Sequence, residues 1–189
     1  MTEVELTPSQ TVGPYLRIGL FGGPITSRLI DESDPRAIRI SGTVLDGAGD
    51  PVPDGVVEIW QANAAGRYAH PADDRTQIEL EDGFTGFGRS STEDSGRFEF
   101  VTVKPGRVPW PDGRLQAPHL LVGVFARGLL KRVVTRLYFP DEDAANAEDP
   151  VLLGLEPVER ATLVAHGENG GLRFDIVLQG DQPTTFFAV

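Results

Sequence analysis

From residue 37 onward, apolar and polar side chains trade places with a period of two. Ile38, Ile40 and Val44 alternate with Arg39, Ser41 and Thr43, and Val57 and Ile59 flank Glu58. Phe98 and Phe100 alternate with Arg97 and Glu99. Val133, Thr135, Leu137 and Phe139 stand opposite Arg132, Val134, Arg136 and Tyr138. Leu172, Phe174, Ile176 and Leu178 stand opposite Arg173, Asp175, Val177 and Gln179. Successive strand side chains point to opposite faces, so this rhythm, rich in β-branched residues, predicts strands. The nearly continuous apolar run from His119 to Phe125 predicts another. Asp46-Gly47, Asp54-Gly55, Asp82-Gly83 and Asp112-Gly113 mark turns. The sum is an all-β fold, an antiparallel sandwich of about eight short strands. Helix is confined to one turn near Asp141 to Asn146 and another near Pro157 to Leu163.

Residues 1–36 break the rhythm. Pro8, Pro14, Pro24 and Pro35, with Gly13, Gly19, Gly22 and Gly23, predict an extended N-terminal arm. Val12, Tyr15, Leu16, Ile18, Leu20, Phe21 and Ile25 are too apolar to be left in water. The arm is therefore expected to belong to the same unit as the sandwich at 37–189 and to pack on it or on a partner.

Composition narrows the function. A net charge of −11 argues against nucleic acid and anionic membranes as partners. An anionic substrate would need a local cation to hold it. The absence of cysteine removes disulfides, thiolate metal sites and thiol nucleophiles together. No basic, apolar leader opens the chain and no apolar run reaches membrane length, which predicts a cytoplasmic protein.

The chemistry concentrates in Ile40 to Tyr68: an apolar–Gly start at Ile40 to Gly42, a turn Gly49, the triplet Val57-Glu58-Ile59 and a closing Gly66-Arg67-Tyr68. A lone Tyr beside a strand is ordinarily a packing residue. This whole pattern, however, resembles the signature of the intradiol ring-cleavage dioxygenases, in which the final Tyr is an iron ligand. A second region, Lys104 to Trp110 followed by Ala117-Pro118-His119-Leu120-Leu121, is similar to the family's other ligand segment. There the family places a second Tyr just before a Pro-Trp pair and two His one residue apart on a strand. The resemblance implies Fe(III) held by two phenolates and two imidazoles, hard anionic oxygen donors suiting the ferric state. Tyr68 and His119 match this set. Val108 and Leu121 stand where the second Tyr and second His are expected, and neither has a lone pair. The expectation is that this chain holds no metal and that Tyr68 and His119 persist as hydrogen-bonded relics. Gln116 falls near where catalytic members carry an Arg, so a cationic group is expected to be lost as well.

Within the family, the resemblance is to the iron-free chain of two-chain members. Thr7 to Tyr15 is similar to the arm of such chains. Phe125-Ala126-Arg127-Gly128-Leu129-Leu130 and Thr135-Arg136-Leu137-Tyr138-Phe139 are similar to their later strands. The likeness implies a homologous beta chain that carries Fe(III), in a higher hetero-oligomer. It further implies O2-dependent cleavage of protocatechuate to 3-carboxy-cis,cis-muconate, a step of aromatic catabolism in the beta-ketoadipate pathway. By resemblance, Thr11, Gly13, Pro14 and Tyr15 wall the partner's pocket, with Arg127 nearby. Gly13 permits close backbone approach, Pro14 stiffens the arm and Tyr15 offers a phenolic donor. Arg127 reads equally as the cation that holds a carboxylated catechol or as an ordinary salt-bridge residue.

Other candidates read as solvated loop residues: His70, His166, Asp73-Asp74 and Asp141-Glu142-Asp143. Two alternatives stand beside the main reading. One is a self-sufficient intradiol enzyme with an unusual iron site, and the other is a non-catalytic β-sandwich that assembles or binds.

Overall fold

The computed structural model describes residues 6–21, 23 and 26–188. Residues 1–5, Gly22, Pro24, Ile25 and Val189 lie outside the described residues, together with the arm expectations attached to Gly22, Pro24 and Ile25.

A short helix α1, Pro14–Leu20, precedes strands β1 (Ala37–Leu45), β2 (Val56–Trp60), β3 (Phe87–Ser91), β4 (Arg97–Val103), β5 (His119–Phe125) and β6 (Val133–Tyr138). Helix α2 (Asp143–Glu148), a 3-10 turn at Leu152–Gly154 and helix α3 (Pro157–Ala161) follow. Strands β7 (His166–Glu168), β8 (Gly171–Arg173) and β9 (Ile176–Val177) close the order. One sheet runs β4-β1-β8-β7, with β9 also on β1, and the other runs β3-β2-β5-β6. Ile40, Val44, Phe98, Phe100 and Phe174 from the first sheet meet Val57, Ile59, Leu120, Val122, Val124 and Leu137 from the second in one core. Burying an aliphatic side chain of this size stabilises the fold by about 1.5–3 kcal/mol, so this inter-sheet layer is what keeps the sandwich closed.

The alternation of the sequence accounts for most of this, and the departures have physical causes. The run at Leu172 to Gln179 is not one strand but two. Phe174 and Asp175 leave the ladder where the chain crosses Gly42. The Phe174 carbonyl oxygen lies 1.9 Å from where a Cβ on Gly42 would stand, and the Thr43 amide donates to Asp175 Oδ1 at 2.7 Å. Glycine in the apolar–Gly start is thus a requirement for close approach. The pairings of β1 with β8 and with β9 are parallel, so the sandwich is antiparallel only in its other ladders. Strands β3 and β7 escape the period-two reading because Gly88, Arg89, Ser90 and Ser91 carry no apolar rhythm and β7 is exposed throughout. His166 therefore lies in a strand, not in a polar turn. The arm is not wholly extended either: Pro14, with its fixed φ, opens α1 at its first turn.

The later part of the arm is tied to the sandwich. Leu29 donates its amide to the Val101 carbonyl at 2.8 Å, Val101 donates to Ser27 at 2.9 Å, and Arg89 donates to Thr26 at 3.1 Å. Residues 26–29 thus hydrogen-bond to β4 of one sheet and β3 of the other. Strand β5 sits between β2 and β6 at the centre of its sheet. Its first residue is His119, and Arg127 lies two residues beyond its end.

Candidate functional site

The outer face of the β2-β5-β6 sheet follows from the register. Leu121 pairs with Trp60 on one side and Arg136 on the other, and His119 pairs with Tyr138. Residues directly opposite on neighbouring strands share a face. Trp60, Leu121, Arg136, His119 and Tyr138 therefore point away from the inter-sheet core together, Tyr138 into a second, smaller cluster with Ala117, Ala145, Leu152 and Leu163.

Two loops fold over this face. The first carries Tyr68. Asn63 organises it, accepting at Oδ1 from the amides of Ala65 (3.1 Å) and Arg67 (2.9 Å). The Asn63 carbonyl accepts from the amides of Gly66 and Gly106, both at 2.9 Å. Gly66 has φ of +83°, and a Cβ there would lie 2.3 Å from the Arg107 carbonyl oxygen. Only glycine lets the Tyr68 loop touch the loop that carries Val108. In that second loop the Gln116 amide donates back to the Val108 carbonyl at 2.8 Å, and Arg107 Nη2 donates to the Leu115 carbonyl at 2.9 Å. An open cleft of about 450 Å³ results, lined by Trp60, Tyr68, His70, Asp73, Val108 and Gln116.

The four ligand positions are thus assembled around one cleft and the adjoining sheet face, with unequal chemistry. Tyr68 is half-buried and stacks on Trp60 at 6.2 Å between ring centroids. Burial pushes its phenol up, and the positive charges of Arg136 and Arg75 oppose that shift. Among the described residues its hydroxyl makes no hydrogen bond, contrary to the expectation for a relic. Its backbone is held instead: the Tyr68 amide donates to Asp73 Oδ2 at 2.8 Å, and Arg75 clamps the same carboxylate. Hydrogen bonds from the Arg75 guanidinium hold Asp73 well below the usual carboxylate range. Asp73 is therefore a structural bracket, a role the sequence reading did not give it.

His119 is buried, and its Nδ1 donates to the Ala117 carbonyl at 2.8 Å. Burial, reinforced by Arg136, pulls the imidazole down to about 4, so it is neutral at pH 7. Val108 is buried and Leu121 half-buried; both are inert to a metal. One phenol and one imidazole do not make a ferric donor set, and no three His, Cys, Asp or Glu side chains come together as a metal cluster among the described residues. The residues present do not fit the ion.

Position 116 is a Gln, and a guanidinium from another strand stands beside it. Arg136 Nη1 donates to Gln116 Oε1 at 2.8 Å and to Tyr138 Oη at 3.2 Å. Asp149, fully buried, completes the wall. Its carboxylate accepts from the amides of Ala117 (2.7 Å), Val151 (2.8 Å) and Leu152 (3.0 Å) and from Tyr138 Oη (3.2 Å). The sequence reading missed both residues. The signal for Arg136 was there: a charge inside a strand, in step with His119 and Leu121 once β5 and β6 pair.

The remaining predicted residues gather at the other end of β5. Thr11 Oγ1 accepts from the Gly128 amide at 2.7 Å, which docks the arm beside Arg127. Arg17 of α1 pairs with Asp54 at 3.0 Å, and Arg127 reaches the same carboxylate at 3.7 Å. Gly13, Pro14 and Tyr15 are exposed, Tyr15 at 82% and its helix neighbour Ile18 at 67%. No residue of α1 is buried. A cleft of about 380 Å³ opens next to Arg127 and Gly128, lined also by Asp46, Pro53 and Gln179. His70 and His166 are exposed, and Asp141 and Glu142 bind Lys104 at 2.5 and 2.9 Å.

Comparison with known proteins matches this architecture. Residues 23–180 fit the dioxygenase family model. The protocatechuate 3,4-dioxygenase alpha chain of Burkholderia cepacia is 42% identical, with 100% of both chains covered. The alpha chain of Pseudomonas putida is also 42% identical, covering 96% of this chain and 95% of its own. The beta chain of Burkholderia cepacia is 36% identical over 88% of this chain and 75% of its own. The solved dioxygenase domain from Streptomyces sp. SirexAA-E superposes with a TM-score of 0.58 at 26% identity, covering 93% of this chain and 99% of that one. With its two packed sheets, its paired ligand-bearing loops and these full-length relatives, the chain belongs to the intradiol ring-cleavage dioxygenase family.

Proposed function

We propose that this chain is an alpha-type subunit that binds no iron and completes the active site of a homologous protocatechuate 3,4-dioxygenase beta chain. The Fe(III) is held by that partner, and the assembly is a higher hetero-oligomer. The reaction is O2-dependent intradiol cleavage of protocatechuate to 3-carboxy-cis,cis-muconate, and the chain alone is inactive. The observation that carries this reading is the relict pocket, where Val108 and Leu121 fill two of four ligand positions. The full-length likeness to two alpha chains supports it.

The role of this chain's own residues follows from the other end of β5. Thr11 fixes the arm to the Gly128 backbone, and Gly13, Pro14 and Tyr15 project from it with free surface. The exposed Tyr15 and Ile18 give α1 an apolar face that nothing among the described residues covers. A partner subunit that covers this face would exclude water from the shared pocket. Arg127 is half-exposed and only 3.7 Å from a carboxylate that Arg17 already engages, so its guanidinium has donors to spare for a substrate carboxylate. That would favour protocatechuate over catechol, because the protein's negative charge otherwise repels an acid.

The test is co-expression with the beta chain, separation of the two, and iron analysis of each. Iron confined to the partner, with activity restored on mixing, is the expected result. Iron held stoichiometrically by the isolated chain, with ring cleavage by it alone, would replace this reading with that of a self-sufficient enzyme.

A further inference from the structure

Loss of two ligands explains why a metal would bind weakly here, but not why a pocket built to surround a cation stays packed without one. The outer face of β5 and β6 supplies an answer. Arg136 lies directly across from Leu121, the position of a missing imidazole, and its guanidinium donates to Gln116 in the cleft wall and to Tyr138 beside His119. Among the described residues no carboxylate lies within salt-bridge distance of it. The Tyr138 ring that receives this hydrogen bond packs against the His119 ring at 5.6 Å between centroids, so the guanidinium stands beside a relict ligand as well as across from a missing one.

We propose that Arg136 is a built-in cation that takes the place of the metal in the relict pocket, so that the chain excludes metal by occupancy as well as by lack of ligands. The inference rests on the reading that this pocket descends from a metal site. Its consequence is that restoring the two ligands does not restore the site. A ferric ion would have to enter beside a fixed positive charge, and like charges repel strongly in a partly buried site.

The experiment compares three forms of the full chain: wild type, Val108→Tyr/Leu121→His, and the same pair with Arg136→Gln. Each is loaded with ferric nitrilotriacetate and desalted. Metal per chain, the visible ferric-phenolate absorption and thermal melting are then read. The form with Arg136→Gln is expected to bind at least about tenfold tighter than the pair alone, and to be coloured where the pair is not. Equal binding by the two, or no binding by the folded triple variant, overturns the inference. Tight iron in the wild type would instead sink the functional reading itself. Val108 is buried, so Val108→Tyr can fail to fold. In that event Leu121→His is compared with and without Arg136→Gln using Zn(II), which accepts three protein donors. A tenfold gain on removing the guanidinium supports occupancy, and its absence refutes it.

Discussion

The two ends of β5 differ in how they use charge. At the His119 end the charged groups that frame the pocket are answered from within the chain: Asp149 by three amides and a phenol, Arg136 by Gln116 and Tyr138, Asp73 by Arg75. At the Arg127 end the groups are exposed and shared. One carboxylate, Asp54, serves two arginines, and α1 rests on the surface without a buried residue. The first end is finished, and the second is arranged to meet something. On the proposed reading, the relict pocket serves as a structural element and the working surface is the opposite rim of the same sheet.

The comparison breaks most decisively at Asp149. Asp149→Ala orphans three amides, two of them buried, and the isolated chain should lose about 3–5 kcal/mol, a melting shift on the order of 10 °C. If melting is unchanged, the closed end is not held from within.

His119 gives the next largest effect. Its imidazole titrates near 4 in the folded chain against an unfolded value of about 6.5, so the unfolded state takes up the proton first as pH falls. Its contribution is full above about pH 6.5 and is lost on acidification toward about 4, roughly 3 kcal/mol in all. Urea unfolding across that window should show this slope in the wild type and a flatter one in His119→Gln.

At the open end, Arg127→Ala should leave the melting temperature of the chain within the equivalent of about 0.5 kcal/mol, because its ion pair is long and half-exposed. Steady-state kinetics of the mixed complex should nevertheless show KM for protocatechuate raised about ten- to a hundredfold, the value of a lost charge-assisted hydrogen bond. Unchanged KM with lowered melting would make Arg127 the ordinary salt-bridge residue. The smallest effect belongs to Tyr68→Phe, which removes a hydroxyl with no hydrogen-bond partner among the described residues. Stability should move by less than about 0.5 kcal/mol and activity of the complex not at all.

Local alternation made β1, β2, β4 and β6 legible, and the nearly continuous apolar run made β5 legible, a strand buried on both faces at the centre of its sheet. It could not reveal β3, whose polar and glycine residues earn their place by pairing with β2, nor the break between β8 and β9, which depends on Gly42 meeting a distant carbonyl. The four positions that the family resemblance assigns to ligands, Tyr68, Val108, His119 and Leu121, came from the resemblance and not from alternation. Arg136 and Asp149 came from neither, because their significance comes from a strand register and a distant loop that bring 116, 136, 138 and 149 together. Reading segment by segment gave Gln116 no cation, whereas in space Arg136 of the neighbouring strand donates to it.

Asp149 carries one more implication. Because Asp149, a carboxylate of the chain itself, gathers the amides beside the old pocket, the proposed reading makes this subunit's architecture independent of iron supply. A chelator that strips the assembled enzyme and silences it should leave this chain folded, ready to re-form active complexes as soon as the other chain is reloaded.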